Sequence, residues 1–307
     1  MELRQLRYLA AVAREGSFTR AAERLNVVQP AVSQQIRKLE AELGVEILHR
    51  SPELRPTSVG QRILPRAERM VAEADALREE ANAELGLLTG RIRLGAMHWL
   101  GPIDLAQILA RFVASYPGVE VTLHEATTAA MLGAVRSDDL DLTFASIDGV
   151  DPLEGIEVAT LAAEEMVVVG EADQLAGVPD PIPITDLHEQ PFVGFAKGMS
   201  VRRLVEDALE RAQVRPRVVL ESNELATLRG LAQNGVGLAI LPRGVAEAPG
   251  PPIAIRSLAP QRLWRRVGLA WRSGRRLSPA ATTLRELTLT FAVEHGDQGE
   301  TAPERKR

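Results

Sequence analysis

The chain of 307 residues contains no cysteine. Disulfide staples, thiolate metal sites and thiol chemistry are excluded with it. Aromatic residues make up only 4% of the sequence, and no unbroken apolar run approaches the ~20 residues of a membrane helix. No basic start leads into an apolar stretch and a small-residue cleavage site. No export signal is therefore visible, and a soluble, cytoplasmic protein is expected. Lysine is nearly missing, with Lys38, Lys197 and Lys306 the whole set. A net charge of −5 offers no general attraction to polyanions. The five histidines, His49, His98, His124, His188 and His295, are scattered without metal-ligand spacing. There is also no GxSxG elbow, no HExxH helix and no phosphate-cradling glycine loop. Neither an enzyme, a metal nor a cofactor is expected.

What the chain does have begins with residues 29–43, QPAVSQQIRKLEAEL. As a helix opening at Pro30, this segment places Val32, Ile36, Leu39 and Leu43 on one side. Pro30, Ser33, Gln34 and Arg37 fall on the other, where Ser, Gln and Arg suit base edges and phosphates of duplex DNA. Leu3, Leu6, Leu9, Ala10 and Ala13 predict a first amphipathic helix, closed by Glu15-Gly16. Ser17 or Thr19 caps a second over 18–25. Asn26 tolerates the left-handed backbone of a tight exit, and Pro30 suits a first helical position. This is the order of a helix-turn-helix. A plain three-helix core with a solvated polar face would leave the same short trace. Residues 45–48 then read as a strand and 50–57 as a turn and return strand, a small wing carrying Arg50 and Arg55. The first sixty residues hold nine basic and seven acidic side chains, so affinity for DNA would rest on a few local contacts.

The first fifty residues resemble the winged helix-turn-helix of LysR-type transcriptional regulators. The likeness runs through Gly16-Ser17-Phe18, Ala21-Ala22, Leu25, Gln29-Pro30, Ser33, Leu39-Glu40, Leu43-Gly44 and Arg50. The wing departs from it: Pro52-Glu53 replaces a basic, glycine-containing turn, the loop is one residue short, and Arg55 alone is basic. The resemblance implies double-stranded DNA with an inverted-repeat site as partner, together with dimers, dimers of dimers and contact with RNA polymerase. Gln29, Ser33, Gln34 and Arg37 are expected at bases or nearby phosphates, Pro30 against a thymine methyl, and Arg50 and Arg55 on the backbone.

Residues 58–88 carry Ile63, Ala67, Met70, Ala74, Leu77, Ala81, Leu85 and Leu88 at steps of mostly four and three, a coiled-coil seam with charged flanks. A rod of roughly 45 Å is predicted, weakened at Pro65. The alternative is a helix packed on its own domain. In the family this place belongs to the dimerising linker helix.

Beyond Thr89-Gly90 the pattern alternates strand and helix: strands over 91–96, 119–126 and 140–145, helices over 102–116 and 128–136. A second set follows, with strands over 165–170, 191–195, 217–222 and 237–241 and helices over 200–212 and 223–234. A strand over 266–272 and a helix over 279–294 close the series. Such alternation implies parallel sheets in two α/β lobes, an arrangement similar to the family's effector domain and to periplasmic solute-binding proteins. The expected fold is multidomain α and α/β. It has a winged helix-turn-helix over 1–58, a linker helix over 59–89 and an effector domain over 90–295. Lobe I takes 90–161 plus 264–295 and lobe II takes 162–263; a disordered tail follows over 296–307.

Ligands of open α/β sheets bind beyond the carboxyl ends of strands, near helix starts. That rule selects His98, Trp99, Thr127, Thr128, Phe195, Lys197, Ser200 and Asn223. With Lys197 and several hydroxyls, the cleft would suit a small anion such as a carboxylate, with Trp99 and Phe195 as an apolar wall. Equally, Thr128, Ser200 and Asn223 read as helix caps, Lys197 as a solvated loop residue and Trp99 as core. Two alternatives remain: a regulator with no small-molecule input, and a solute-binding protein of a transport system.

Overall fold

The structure is a computed structural model and describes residues 1–50, 53–85, 87–149 and 153–295. The expected tail over 296–307 lies outside the described residues, as do Ser51 and Pro52 of the wing. The chain divides into two compact units, one ending at Gly90 and the other starting at Arg91.

In the amino-terminal unit, α1 (Leu3–Glu15), α2 (Phe18–Arg24) and α3 (Gln29–Leu43) enclose one core. Local signals set their ends. Ser17 Oγ accepts from Arg20 N at 3.3 Å, Gly16 closes α1 in the left-handed region, and Asn26 turns there too with φ 52°. Val32, Ile36 and Leu39 are fully buried, but Leu43 is exposed. The apolar stripe ends one turn early because Leu43 is the last residue before the Gly44 cap.

The expected strand over 45–48 is shorter. Strand β1 is Leu48–His49, paired antiparallel with β2 (Arg55–Pro56). The N–H groups of Ile47 and Leu48 are instead taken by a side chain, donating to Glu40 Oε1 at 2.9 and 3.2 Å.

Helix α4 (Ser58–Glu84) runs unbroken through Pro65. Its first half packs on its own unit, as one of the two expectations had it, and its second half is exposed. Leu64 and Ala67, with Ile63 and Val71, pack into the unit's own core. Further along, Met70 is 48% and Leu77 66% exposed, so the seam there has no partner among the described residues. The helix stops before the expected residue 88, because Asn82 O accepts from both Leu85 N and Leu87 N while its amide donates to Thr89 Oγ1 at 2.9 Å.

The second unit has two lobes. Lobe I holds β3 (Gly90–Ala96), α5 (Leu105–Ser115), β4 (Val119–Glu125), α6 (Thr128–Arg136) and β5 (Leu142–Ser146). Strand β6 (Ile156–Gly170) then crosses into lobe II. There the chain forms β7 (Ile182–Pro183), β8 (Pro191–Phe195), α7 (Ser200–Arg211), β9 (Arg217–Ser222), α8 (Leu225–Gln233) and β10 (Ala239–Pro242). A one-turn helix α9 (Arg243–Ala246) and the short strands β11 (Ala254–Arg256) and β12 (Leu258–Ala259) follow, none of them expected from sequence. Strand β13 (Leu263–Arg272) returns antiparallel to β6 and beside β5, and α10 (Pro279–His295) packs on α5. One sheet in the order β10-β6-β13-β5-β3-β4 therefore spans both lobes, and β8 and β9 pair in parallel in lobe II.

The two crossing strands are longer than the expected 165–170 and 266–272. Their middle stretch is charged, with Glu164 facing Arg265 and Glu165 facing Trp264 in the register. Those charges interrupt the apolar alternation by which a buried strand is recognised, although the ladder continues through them.

Candidate functional site

Two places carry chemistry. The first is the outer face of α3. Gln29, Pro30, Gln34 and Arg37 are exposed and Ser33 half-buried. Among the described residues, none of the four polar side chains has a hydrogen bond or ion pair. Their donors and acceptors are free while the opposite face of the helix is committed to the core. Arg55 is likewise exposed on β2, with no partner among the described residues. Arg50 is not free: its Nη2 lies 2.5 Å from Oε2 of the buried Glu40. One carboxylate thus holds the start of the wing by two backbone N–H groups and orients Arg50 as well.

The second place lies between the lobes. Thr128 is buried at the start of α6, with its Oγ1 3.3 Å from Ser200 Oγ at the start of α7 and 3.8 Å from Met97 Sδ. Two helix starts from different lobes therefore face one another. Beside them a cavity of about 570 Å³ is lined by Lys197, Ser200, Gly149 and Arg136, among others. Lys197 is exposed, with no side-chain partner among the described residues.

The other expected positions lie elsewhere. Thr127 is exposed and caps α6, accepting from Ala130 N at 3.4 Å. His98 and Asn223 are exposed, and the cap residue of α8 is Glu224 rather than Asn223. Phe195, expected as an aromatic wall, is 4% exposed within the core of lobe II.

The family follows from this architecture together with sequence. Residues 3–61 match the bacterial regulatory helix-turn-helix protein, lysR family, and residues 85–292 match the LysR substrate binding domain. The chain belongs to the LysR family of transcriptional regulators. It is 30% identical to the uncharacterized HTH-type transcriptional regulator YybE of Bacillus subtilis over 298 residues, 96% of this chain and 100% of YybE. It is 31% identical to the SDS degradation transcriptional activation protein of a Pseudomonas species over 295 residues, 94% of this chain and 95% of that protein. A full-length OxyR variant from Pseudomonas aeruginosa matches with a TM-score of 0.72 at 27% identity, covering 94% of this chain and 98% of OxyR. This LysR-family chain is a DNA-binding transcriptional regulator with an effector-binding domain. Its amino-terminal module sets aside a transport receptor.

Apart from the residues that line that cavity, a group that sequence reasoning missed joins the two lobes. Glu164, in the middle of β6, is buried and receives three donors. Arg265 Nη2 donates to its Oε2 at 2.8 Å, Trp99 Nε1 to the same oxygen at 3.0 Å, and Gly244 N to its Oε1 at 3.0 Å. Arg265 is 1% exposed. Burial pulls its guanidinium below the ordinary arginine value, against the attraction of Glu164. Next to it, Glu165 accepts from Arg243 Nη2 at 2.6 Å. Arg266, hydrogen-bonded by its Nη2 to Asp148 Oδ1 at 2.7 Å, is held above its ordinary value by that bond. The signal in the sequence was a pair of adjacent acids and a pair of adjacent arginines, each set inside an apolar strand. Among the described residues, no helix is long and apolar enough to cross a membrane.

Proposed function

We propose that this regulator binds an inverted-repeat promoter site as a dimer and that a small anionic ligand in the interlobe cleft modulates its action there. The observation that carries the DNA half is the unpartnered Gln29, Ser33, Gln34, Arg37 face of α3. Two such faces, one per subunit, would enter successive major grooves about 34 Å apart. The exposed Met70 and Leu77 of α4 supply the pairing surface. The exposed apolar residues of the edge strands, Leu123 on β4 and Val218 on β9, support further assembly between effector domains. The protein acts in the cytoplasm, through contact with RNA polymerase and without catalysis of its own.

The ligand half rests on Lys197, unpaired among the described residues, beside the start of α7, whose uncapped N–H groups favour negative charge. A ligand shifts the lobes only by its difference in affinity between their arrangements. Because the chain has no cysteine, thiol oxidation is not among its inputs. The test has two arms. Fragments bound across the genome should share an inverted repeat, and recovery of no common motif sinks the DNA reading. A panel of small carboxylic acids should raise the melting temperature of the wild type but not of Lys197→Ala; an unaltered response in the variant removes the anion reading.

A further inference from the structure

The Trp99 indole reaches from lobe I into lobe II. Trp99 comes from the loop of residues 97–104 that follows β3 in lobe I, a stretch without helix or strand. Its ring packs against the hydrophobic core of lobe II. Its Nε1 donates to Glu164, and its backbone oxygen accepts from Arg265 Nη1 at 3.4 Å. Glu164 and Gly244 lie at the hinge and just beyond the carboxyl end of β10, so the indole bridges the carboxyl ends of strands from both lobes.

The pocket that receives it is shaped for a flat ring bearing one donor. A Cβ on Gly244 would come within 2.9 Å of both Trp99 Cζ2 and Glu164 Oε1. A Cβ on Gly101 would lie 2.9 Å from Glu164 Oε2. The carboxylate is therefore walled by two glycines, and the ring lies directly against one of them. A buried carboxylate is costly unless directed donors meet it, and Glu164 has three. Arg265 and Gly244 N are fixed in strand and helix, whereas Trp99 Nε1 is the one donor supplied from a loop.

We propose that the Trp99 indole is a built-in occupant of a donor-seeking pocket between the lobes, and that an effector reaching this pocket replaces it with a flat apolar ring carrying its own N–H donor to Glu164. The proposal rests on the reading of the cleft as the effector site and refines it: anions are held at the cavity near Lys197, and ring N–H donors at Glu164. Displacement of Trp99 frees the loop of lobe I from the core of lobe II, so the two states differ in how the lobes are joined.

The test uses the full chain with Trp99→Ala and free indole as probe. Indole should bind the variant and raise its melting temperature. 1-Methylindole, with the same ring and no N–H, should bind about tenfold or more weaker, the discrimination a hydrogen bond to a buried charge supplies. Wild type should need about tenfold or more indole for the same shift, since its own side chain competes. Equal binding of the two probes, or equal binding of indole by wild type and variant, overturns the proposal. If Trp99→Ala does not fold, Trp264→Phe with Trp271→Phe leaves Trp99 as the sole tryptophan. Non-fluorescent pyrrole should then shift its emission to the red and expose it to acrylamide, and no change overturns the proposal. Promoter retention in the same samples separates this from the wider reading. Indole discrimination with no change in DNA binding upholds the pocket and removes its regulatory role. A response of DNA binding to carboxylic acids without indole discrimination does the reverse.

Discussion

Removing either of two arginines of the wing should have unequal effects on how salt weakens promoter binding. Arg55 has no partner among the described residues, while Arg50 is ion-paired at 2.5 Å with the buried Glu40. The slope of log affinity against log salt counts phosphates that the protein neutralises, at about 0.9 per phosphate. Arg50, with its charge already met, should not be among them. For a dimer, Arg55→Ala removes two contacts and flattens the slope by about 1.8. Between 50 and 200 mM salt that amounts to a loss of affinity about twelvefold smaller than in the wild type. Arg50→Ala should leave the slope near its original value. Glu40→Gln should steepen it by up to about 1.8, because the amide oxygen still accepts from Ile47 N and Leu48 N while Arg50 is released. Fluorescence anisotropy on one operator fragment across a salt series measures all three. Equal flattening by Arg50→Ala and Arg55→Ala would refute the argument, since it would mean that Arg50 leaves Glu40 to take a phosphate.

Three other outcomes are expected. Gln34→Ala should change the preferred base at one position of each half-site by about 1–3 kcal/mol, read by selection from a randomised operator; uniform weakening on every sequence counts against direct readout. Leu77→Glu should produce monomers in sedimentation experiments with little change in the melting temperature of the amino-terminal unit, because Leu77 is 66% exposed within one chain; a persisting dimer moves the seam elsewhere. Gly149→Ala should destabilise the effector domain by roughly 1–3 kcal/mol, since a Cβ there would lie 2.3 Å from Ser200 O at a φ of +71°; an unchanged melting temperature would show that α7 moves freely away from lobe I.

The amino-terminal helices were legible because their signals are local. Gly16, Ser17, Asn26, Pro30 and Gly44 each set a backbone angle or cap within a few residues of themselves. The α/β alternation of the effector domain was legible for the same reason, its strands being apolar runs bounded by turns. The wing was not. Ile47 and Leu48 have strand-like side chains, yet their N–H groups are claimed by Glu40 from the preceding helix, which leaves a ladder of two pairs. The candidate ligand residues show the limit most plainly. A rule based on strand ends names loops but not which side chain of each turns inward. Thr127 and Thr128 are neighbours, and one is an exposed cap while the other is buried against Ser200. Trp99 was placed in the cleft by the rule, but its partner Glu164 lies 65 positions away and Arg265 a further 101. No local pattern connects them.

Both working ends of this protein turn on a buried glutamate used in the same way. Glu40 joins a recognition helix to a wing through two backbone donors and Arg50. Glu164 joins two lobes through one backbone donor, Arg265 and the Trp99 indole. Well-packed apolar residues would stabilise either junction at least as well, since desolvating a charge offsets much of what its pairing returns. They would not fix it. An apolar contact tolerates sliding, whereas a carboxylate with three directed donors loses a bond, and leaves a charge underpaired, when any segment shifts. In the amino-terminal unit that directionality aims the wing relative to α3. At the hinge it makes the position of one loop depend on whether its indole or another donor holds Glu164, which is the property a ligand needs if its binding is to be felt by both lobes.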